Sequence, residues 1–219
     1  MKDRYKTHYF PMGFMDVKLY TDIIDQLLGG TEVDLHKDGE PLLHPNIAWM
    51  IAYANGRGMF THLVTNGILL GSKKETIVHS GLDLLTVSII DDIPYDSINE
   101  FMEYKGDKKP HTQLKLYLEN EVPINLPKSD EVIVRKLHNW TDDKERKTRK
   151  PCSKLLNYSA VNCDGGYSIC CVDYKRELVP FNVKQVPLEK CFEFSSMIYK
   201  WQEEGVFIAP CTHCNYWEG

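Results

Sequence analysis

Helical and extended periodicities alternate from Asp16 to Val134, and this alternation restricts the fold more than any other feature of the chain. Asp16 can cap a helix running to about Leu28, with Leu19, Ile23, Ile24, Leu27 and Leu28 on one face and Gly29-Gly30 as its stop. Residues 31–36 read as a strand through Val33 and Leu35, and residues 46–55 carry Ile47, Met50, Ile51 and Ala54 at helical spacing. Strands follow at 60–65, 84–89, 114–118 and 132–134, with helices predicted at 73–79 and 97–104. Strand and helix alternating through short loops imply parallel strands joined by right-handed crossovers, an α/β fold. Ligands meet such sheets at the C-terminal ends of the strands. Polar motifs fall there: Asp38-Gly39-Glu40 after the first strand, Thr65-Asn66-Gly67 after the second, and residues 88–92 at the end of the third. These three strand ends predict a ligand site on one rim.

The texture changes after Trp140. Residues 141–150 (TDDKERKTRK) have no apolar period and read as a solvated linker between a domain at 1–140 and one at 151–219. With 219 residues and 42% hydrophobic content, the chain can bury the core of one domain plus a small appendage. A formal charge of −5 argues against general attraction to nucleic acid or an anionic membrane. The apolar runs are too short to cross a bilayer, and the N-terminus has no signal-peptide h-region, so a cytoplasmic location with reduced thiols is expected.

All seven cysteines lie between Cys152 and Cys214, and the first 151 residues have none. Twelve residues separate Cys152 from Gly165, four separate Gly165 from Cys170, and Cys211-Thr-His-Cys214 comes near the C-terminus. The odd number argues against a closed disulfide framework. The spacing suits soft ligands for a metal ion or an iron–sulfur cluster, and ligand type alone does not separate zinc from a cluster.

Taken in order, these pieces resemble a radical S-adenosylmethionine (radical SAM) enzyme with a C-terminal SPASM domain. They are Gly13-Phe14-Met15-Asp16, residues 38–45 (DGEPLLHP), Thr65-Asn66-Gly67 and residues 84–92, then Cys152, Asp164-Gly165, residues 170–173, Asn182-Val183, Trp201, Cys211 and Cys214. The resemblance covers nearly the whole chain. It implies an incomplete (β/α) radical SAM-type partial barrel followed by a small cysteine-bearing SPASM-like domain. The family segment matching Asp38-Gly39-Glu40 is normally Gly-Gly-Glu and holds the amino group of SAM; Asp38 here adds a side chain and a negative charge. Taken alone, that segment is a strand-end turn. Ser88 resembles a position contacting the carboxylate or ribose of SAM, Asn66 lines the same rim, and residues 137–140 would lie near the adenine. Cys152, Cys170, Cys211 and Cys214 correspond to a ligand set for one auxiliary [4Fe–4S] cluster, with zinc the alternative metal. Cys170 is preferred to Cys171 because it keeps the Gly-x4-Cys spacing, and neighbours in an extended segment face opposite ways. Cys163 and Cys191 are expected to be plain thiols, and His213 to face solvent. The chain ends five residues after Cys214, where fuller SPASM domains carry further cysteines, so a single auxiliary cluster is expected.

The pattern departs from the family at one point. Its reaction needs a Cys-x3-Cys-x2-Cys loop whose cluster has an open iron for SAM and cleaves it to a radical. The matching window here holds Tyr5, His8 and Tyr9 but no cysteine, and the first barrel strand is missing. Residues 119–131 contain two prolines and no helical period, so one crossover helix is reduced. The chain is therefore expected to be a fragment begun at an internal Met, or a shortened homologue, with the fragment preferred. One functional expectation is a radical SAM/SPASM iron–sulfur protein acting on a peptide or small molecule, with SAM as cofactor if the missing segment is present and an electron-donor protein as partner. The alternative is a non-catalytic binding module with a structural zinc or iron–sulfur site. A Cys-x3-Cys-x2-Cys upstream of Met1 would separate them.

Overall fold

The computed structural model describes residues 13–90, 94–118, 125–136, 150–170, 173, 176–212 and 214. The chain divides into two compact units, one spanning Leu27–Leu137 and the other drawing Met1–Gln26 together with His138–Gly219. Residues 141–149 of the expected linker at 141–150, the segment 137–140 with Trp140, and Cys171 and His213 lie outside the described residues. Among the described residues no helix is long and apolar enough to cross a membrane.

In chain order, α1 (Val17–Ile24) belongs to the second unit. The first unit then runs β1 (Glu32–Asp34), a 3-10 turn (Pro41–Leu43), α2 (Ile47–Gly56), β2 (Phe60–Thr65), α3 (Leu70–His79), β3 (Leu84–Ile89), α4 (Tyr95–Lys105), β4 (His111–Leu118) and β5 (Glu131–Lys136). Its five strands pair in sequence order and all in parallel, as the alternating pattern requires. Residues 125–130, the described part of the connection into β5, are not helical, as their composition implies.

The strands alternate between two unlike faces. Leu63, Leu85, Val87, Ile89, Leu114 and Leu116 point to the helix side and pack with Ile47, Ile51, Leu70, Ile77, Ile98 and Phe101 into one core. Each such side chain contributes about 1.5–3 kcal/mol by leaving water. At the N-terminal ends of the strands, two carboxylates clip neighbouring strands together. Asp83 accepts from the Thr61 N–H at 2.9 Å, and Asp130 accepts from the Thr112 N–H at 2.7 Å. The Lys105 ammonium, only 3% exposed, meets Asp130 at 3.0 Å. Burial works to raise the Asp130 pKa, but the bonds from Lys105 and Thr112 outweigh it and hold the carboxyl below its usual range.

The second unit continues with α5 (Lys154–Asn157), β6 (Ala160–Val161), β7 (Gly166–Ser168), β8 (Phe181–Asn182) and α6 (Leu188–Glu203), its three strands forming an antiparallel sheet. The β7 turn is tightly built. Gly165 has φ +90°, and a Cβ there would meet Asn182 Oδ1 at 2.6 Å. Asp164 accepts two hydrogen bonds from the Arg176 guanidinium, at 2.8 and 3.1 Å, while Asn182 Nδ2 donates to the Asp164 carbonyl at 3.1 Å. The buried Tyr167 hydroxyl bridges Ser159 Oγ at 2.6 Å and Ser195 Oγ at 2.8 Å.

Several boundaries differ from the sequence reading. The Asp16 carboxylate caps α1 through the Lys18 and Leu19 N–H groups, as expected, but the helix ends at Ile24. Past Ile24 the predicted apolar face is not buried as a helix face would be: Leu27 is half-buried and Leu28 is 82% exposed. Helix α3 starts at Leu70, whose side chain is buried, ahead of the predicted Lys73. Strand β4 starts at His111 because His111, Thr112 and Gln113 pair with Leu84, Leu85 and Thr86, an extension that polar residues do not advertise. The sequence reading assigned no helix at α6. Its buried stripe is Leu188, Cys191, Ser195, Ile198 and Gln202, which holds only two aliphatic residues, while the large apolar Phe192, Met197 and Trp201 lie exposed.

Candidate functional site

The predicted rim forms at the C-terminal ends of β1, β2 and β3. Glu40 occupies its centre and ties the first two strand ends together. Its Oε1 accepts from the Leu42 N–H at 3.0 Å and from Thr65 Oγ1 at 2.8 Å, and its Oε2 accepts from the Asn66 N–H at 2.9 Å. A carboxylate has about four acceptor positions, so one remains for an incoming cation. Gly39 has φ +89° and open space where a Cβ would stand, so this glycine serves the turn of the backbone. Asp38 is half-exposed and paired with Lys37 Nζ at 2.9 Å. Asn66 Oδ1 accepts from the Ile68 N–H at 2.9 Å, closing the turn after β2. At Gly67, φ is +83° and a Cβ would strike Val87 Cγ1 at 2.8 Å. Ser88 is half-buried on the sheet face away from the helices, in register with Lys115.

That same face carries a feature the sequence reading missed. A hydrogen-bonded ladder crosses all five strands. Asp34 Oδ1 lies 2.7 Å from His62 Nδ1, and His62 Nε2 lies 2.9 Å from Thr86 Oγ1. Thr86 donates to Gln113 Oε1 at 3.3 Å, and Gln113 Nε2 donates to Glu131 Oε2 at 2.6 Å. Glu32, Asp34 and His62 bring their ligand atoms within 4.8 Å of one another. His36 packs edge-on against His62 with ring centroids 5.5 Å apart, and its buried Nδ1 has no hydrogen-bond partner among the described residues. Burial lowers the His36 pKa to about 4, opposed by Asp34 and aided by His62 and Lys115, so the ring is neutral at neutral pH. The signal available in the sequence was the two-residue spacing of Glu32, Asp34 and His36, with His62 alternating against Leu63.

The second candidate site is built from thiols. The Cys152 N–H donates to Gln202 Oε1 at 2.8 Å, and its carbonyl accepts the Leu155 N–H at 3.1 Å as α5 begins. The Cys170 carbonyl accepts from Ser168 Oγ at 2.9 Å and from the Asp173 N–H at 3.3 Å. Cys211 and Cys214 share a turn in which the Cys214 N–H approaches the Cys211 carbonyl at 3.4 Å. Burial pushes the Cys211 thiol up to about 11, with Cys214, Cys152 and Asp173 adding to the rise. Cys152, Cys211 and Cys214 therefore converge in a desolvated place, and Asp173, in a turn with Cys170, reaches it too. Gln202 lies close enough to Cys211 to oppose the rise, although its Nε2 completes no hydrogen bond of normal geometry with any described residue. Cys191 is buried on α6, where burial raises its pKa, and Cys163 is half-buried beside Asp164.

No protein-family model matches the sequence. Among solved structures the chain is similar to BtrN in complex with AdoMet and 2-DOIA, at 17% identity over 94% of this chain and 82% of that one, with a TM-score of 0.65. It is also similar to BtrN in an open conformation, at 19% identity over 93% of this chain and 81% of that one, with a TM-score of 0.62. At these identities the likeness speaks for the fold: a radical SAM-type partial β/α arrangement around a parallel five-stranded sheet.

Proposed function

We propose that this chain is a fragment or shortened form of a radical SAM-type iron–sulfur protein, with SAM at the strand-end rim when the segment carrying the SAM-cleaving cluster is present, and one auxiliary [4Fe–4S] cluster on Cys152, Cys170, Cys211 and Cys214 of a SPASM-like unit. Its substrate is a peptide or small molecule, and an electron-donor protein is its partner. The observation that carries the reading is the convergence of Cys152 and Cys214 on the desolvated Cys211 thiol. The donor set fits the group: thiols to bind iron, and a buried amide donor beside them. Their spread favours a cluster over zinc. Tetrahedral zinc with Zn–S bonds of about 2.3 Å holds its sulfurs about 3.8 Å apart. Among the described residues no three cysteines bring their sulfurs within 4.8 Å of one another. A cluster bound there supplies one-electron transfer or a substrate anchor. At the rim, Glu40 keeps one acceptor position for an ammonium, Gly39 lets the backbone turn beneath it, and Asp38, Asn66 and Ser88 offer further polar contacts. That BtrN, a protein of similar fold, was solved in complex with AdoMet supports SAM as the ligand class.

A second reading, a binding module without chemistry, has one observation in its favour: residues 1–151 hold no cysteine to carry the cluster that cleaves SAM. Anaerobic purification followed by iron, sulfide and zinc analysis tests the metal assignment. Iron and sulfide in equal amounts are expected; stoichiometric zinc without sulfide would overturn the cluster. Cys170→Ser should abolish metal binding and Cys171→Ser should not, and the reverse result would move the ligand to Cys171. Calorimetry with SAM should show weak binding or none in the absence of an open iron, and tight binding would return the rim to full competence.

A further inference from the structure

We propose that the Gln202 side-chain amide donates a hydrogen bond to sulfur in the group held by Cys152 and Cys211, and so sets that group's reduction potential. The inference rests on the reading that these thiols hold a cluster. Gln202 sits in the last turn of α6, on the buried stripe with Leu188, Cys191, Ser195 and Ile198, and is only 3% exposed. A polar residue on such a stripe needs partners, because a buried donor without one is costly. Half of the amide is accounted for. Gln202 Oε1 accepts the Cys152 N–H at 2.8 Å, and this bond fixes the orientation of the amide, since the flipped rotamer would set two donors against each other. The Nε2 group therefore points the other way, buried and without a partner among the described residues.

What lies beside that donor is sulfur. The Gln202 side chain lies beside Cys211, with its Oε1 already committed to the Cys152 N–H at 2.8 Å. One end of the amide thus holds the backbone of one ligand, and the other end faces the sulfur of a second. An N–H donor stabilises whichever state carries more negative charge, and for a cluster that is the reduced state. Gln202 therefore holds the potential higher than the thiolates alone would. The residue is a positioning and tuning group and takes no part in bond making.

The test uses the full chain, purified and loaded without oxygen, with iron and sulfide counted before each measurement. EPR-monitored redox titration compares wild type with Gln202→Leu, which removes both ends of the amide, and Gln202→Glu, which keeps the acceptor for the Cys152 N–H and loses the donor. Both should load iron fully and lose stabilisation of the reduced state about tenfold, a downward shift of about 59 mV for one electron. The Gln202→Glu protein should regain part of that shift on acidification, when its carboxyl becomes a donor; a merely structural role would give no such pH dependence. Full loading with unchanged potentials in both variants would overturn the proposal and leave the cluster reading intact. If Gln202→Leu fails to load, Gln202→Glu decides by the same criterion, and failure of both to load would overturn a tuning role. If the wild type contains zinc and no sulfide, the cluster reading fails on its own, and the hydrogen bond is read by zinc retention against a chelator. A tenfold weaker hold in Gln202→Glu would support the bond to sulfur, and equal retention would overturn it.

Discussion

The sheet rim and the thiol site are both polar regions set into a folded unit, but they differ in how completely their groups are matched. At the rim, Glu40 accepts from Leu42, Thr65 and Asn66, and the ladder from Asp34 to Glu131 pairs each member with the next. Beside the thiols, Gln202 Nε2 is left alone and Cys211 is held as a thiol against a high pKa. The rim holds its shape without a ligand and keeps only one acceptor position of Glu40 in reserve. A region that buries a donor next to thiols without satisfying it is built around something else. Among the described residues, His36 Nδ1 is the matching gap on the sheet side.

The most severe way to break the contrast is at a thiol. Cys211→Ser should remove iron and sulfide altogether, whereas Cys191→Ala should retain both, since Cys191 lies on the core stripe of α6; metal analysis of the two proteins checks this. The next largest effect belongs to the satisfied side. Asp130→Ala strands the buried Lys105 ammonium and should destabilise the Leu27–Leu137 unit by about 3–5 kcal/mol in urea unfolding. Glu40→Gln swaps one acceptor for a donor facing an N–H or O–H and should cost about 2 kcal/mol by the same measurement. The smallest effect is the pH dependence of His36. Its folded pKa of about 4 lies below the unfolded value of about 6.5, so the unfolded chain binds more protons between those limits. Stability should fall by about 1 kcal/mol from pH 7.5 to 5.5, and His36→Gln should flatten that slope.

The alternation of apolar periods was enough to read the parallel sheet and the strand ends where Glu40 stands, because helix and strand bury their residues at different spacings, whereas the strand order came only from the structure. The cysteine spacing pointed to a shared site, and three of the four predicted ligands lie in one neighbourhood. What stayed hidden was polar. The ladder depends on register between strands far apart in sequence, such as Asp34 with His62. Helix α6 escaped because Cys, Ser and Gln stand where aliphatic residues would signal a buried face. Gln202 is meaningful only once its depth and the position of Cys152, fifty residues earlier, are known.

One small contact carries a kinetic consequence. Gln26 Oε1, just after α1, accepts the Leu188 N–H that opens α6, at 2.9 Å and a separation of 162 residues. The unit that holds the cysteines is thus built from segments on both sides of Leu27–Leu137 in the sequence. During synthesis the sheet can form as it emerges, but α1 must wait for α6 before its partner exists. Closure of such a distant loop is slow relative to local pairing. Loading of the thiols is thereby tied to the emergence of α6, and residues 150–219 expressed alone should lack a native contact that no local sequence can replace.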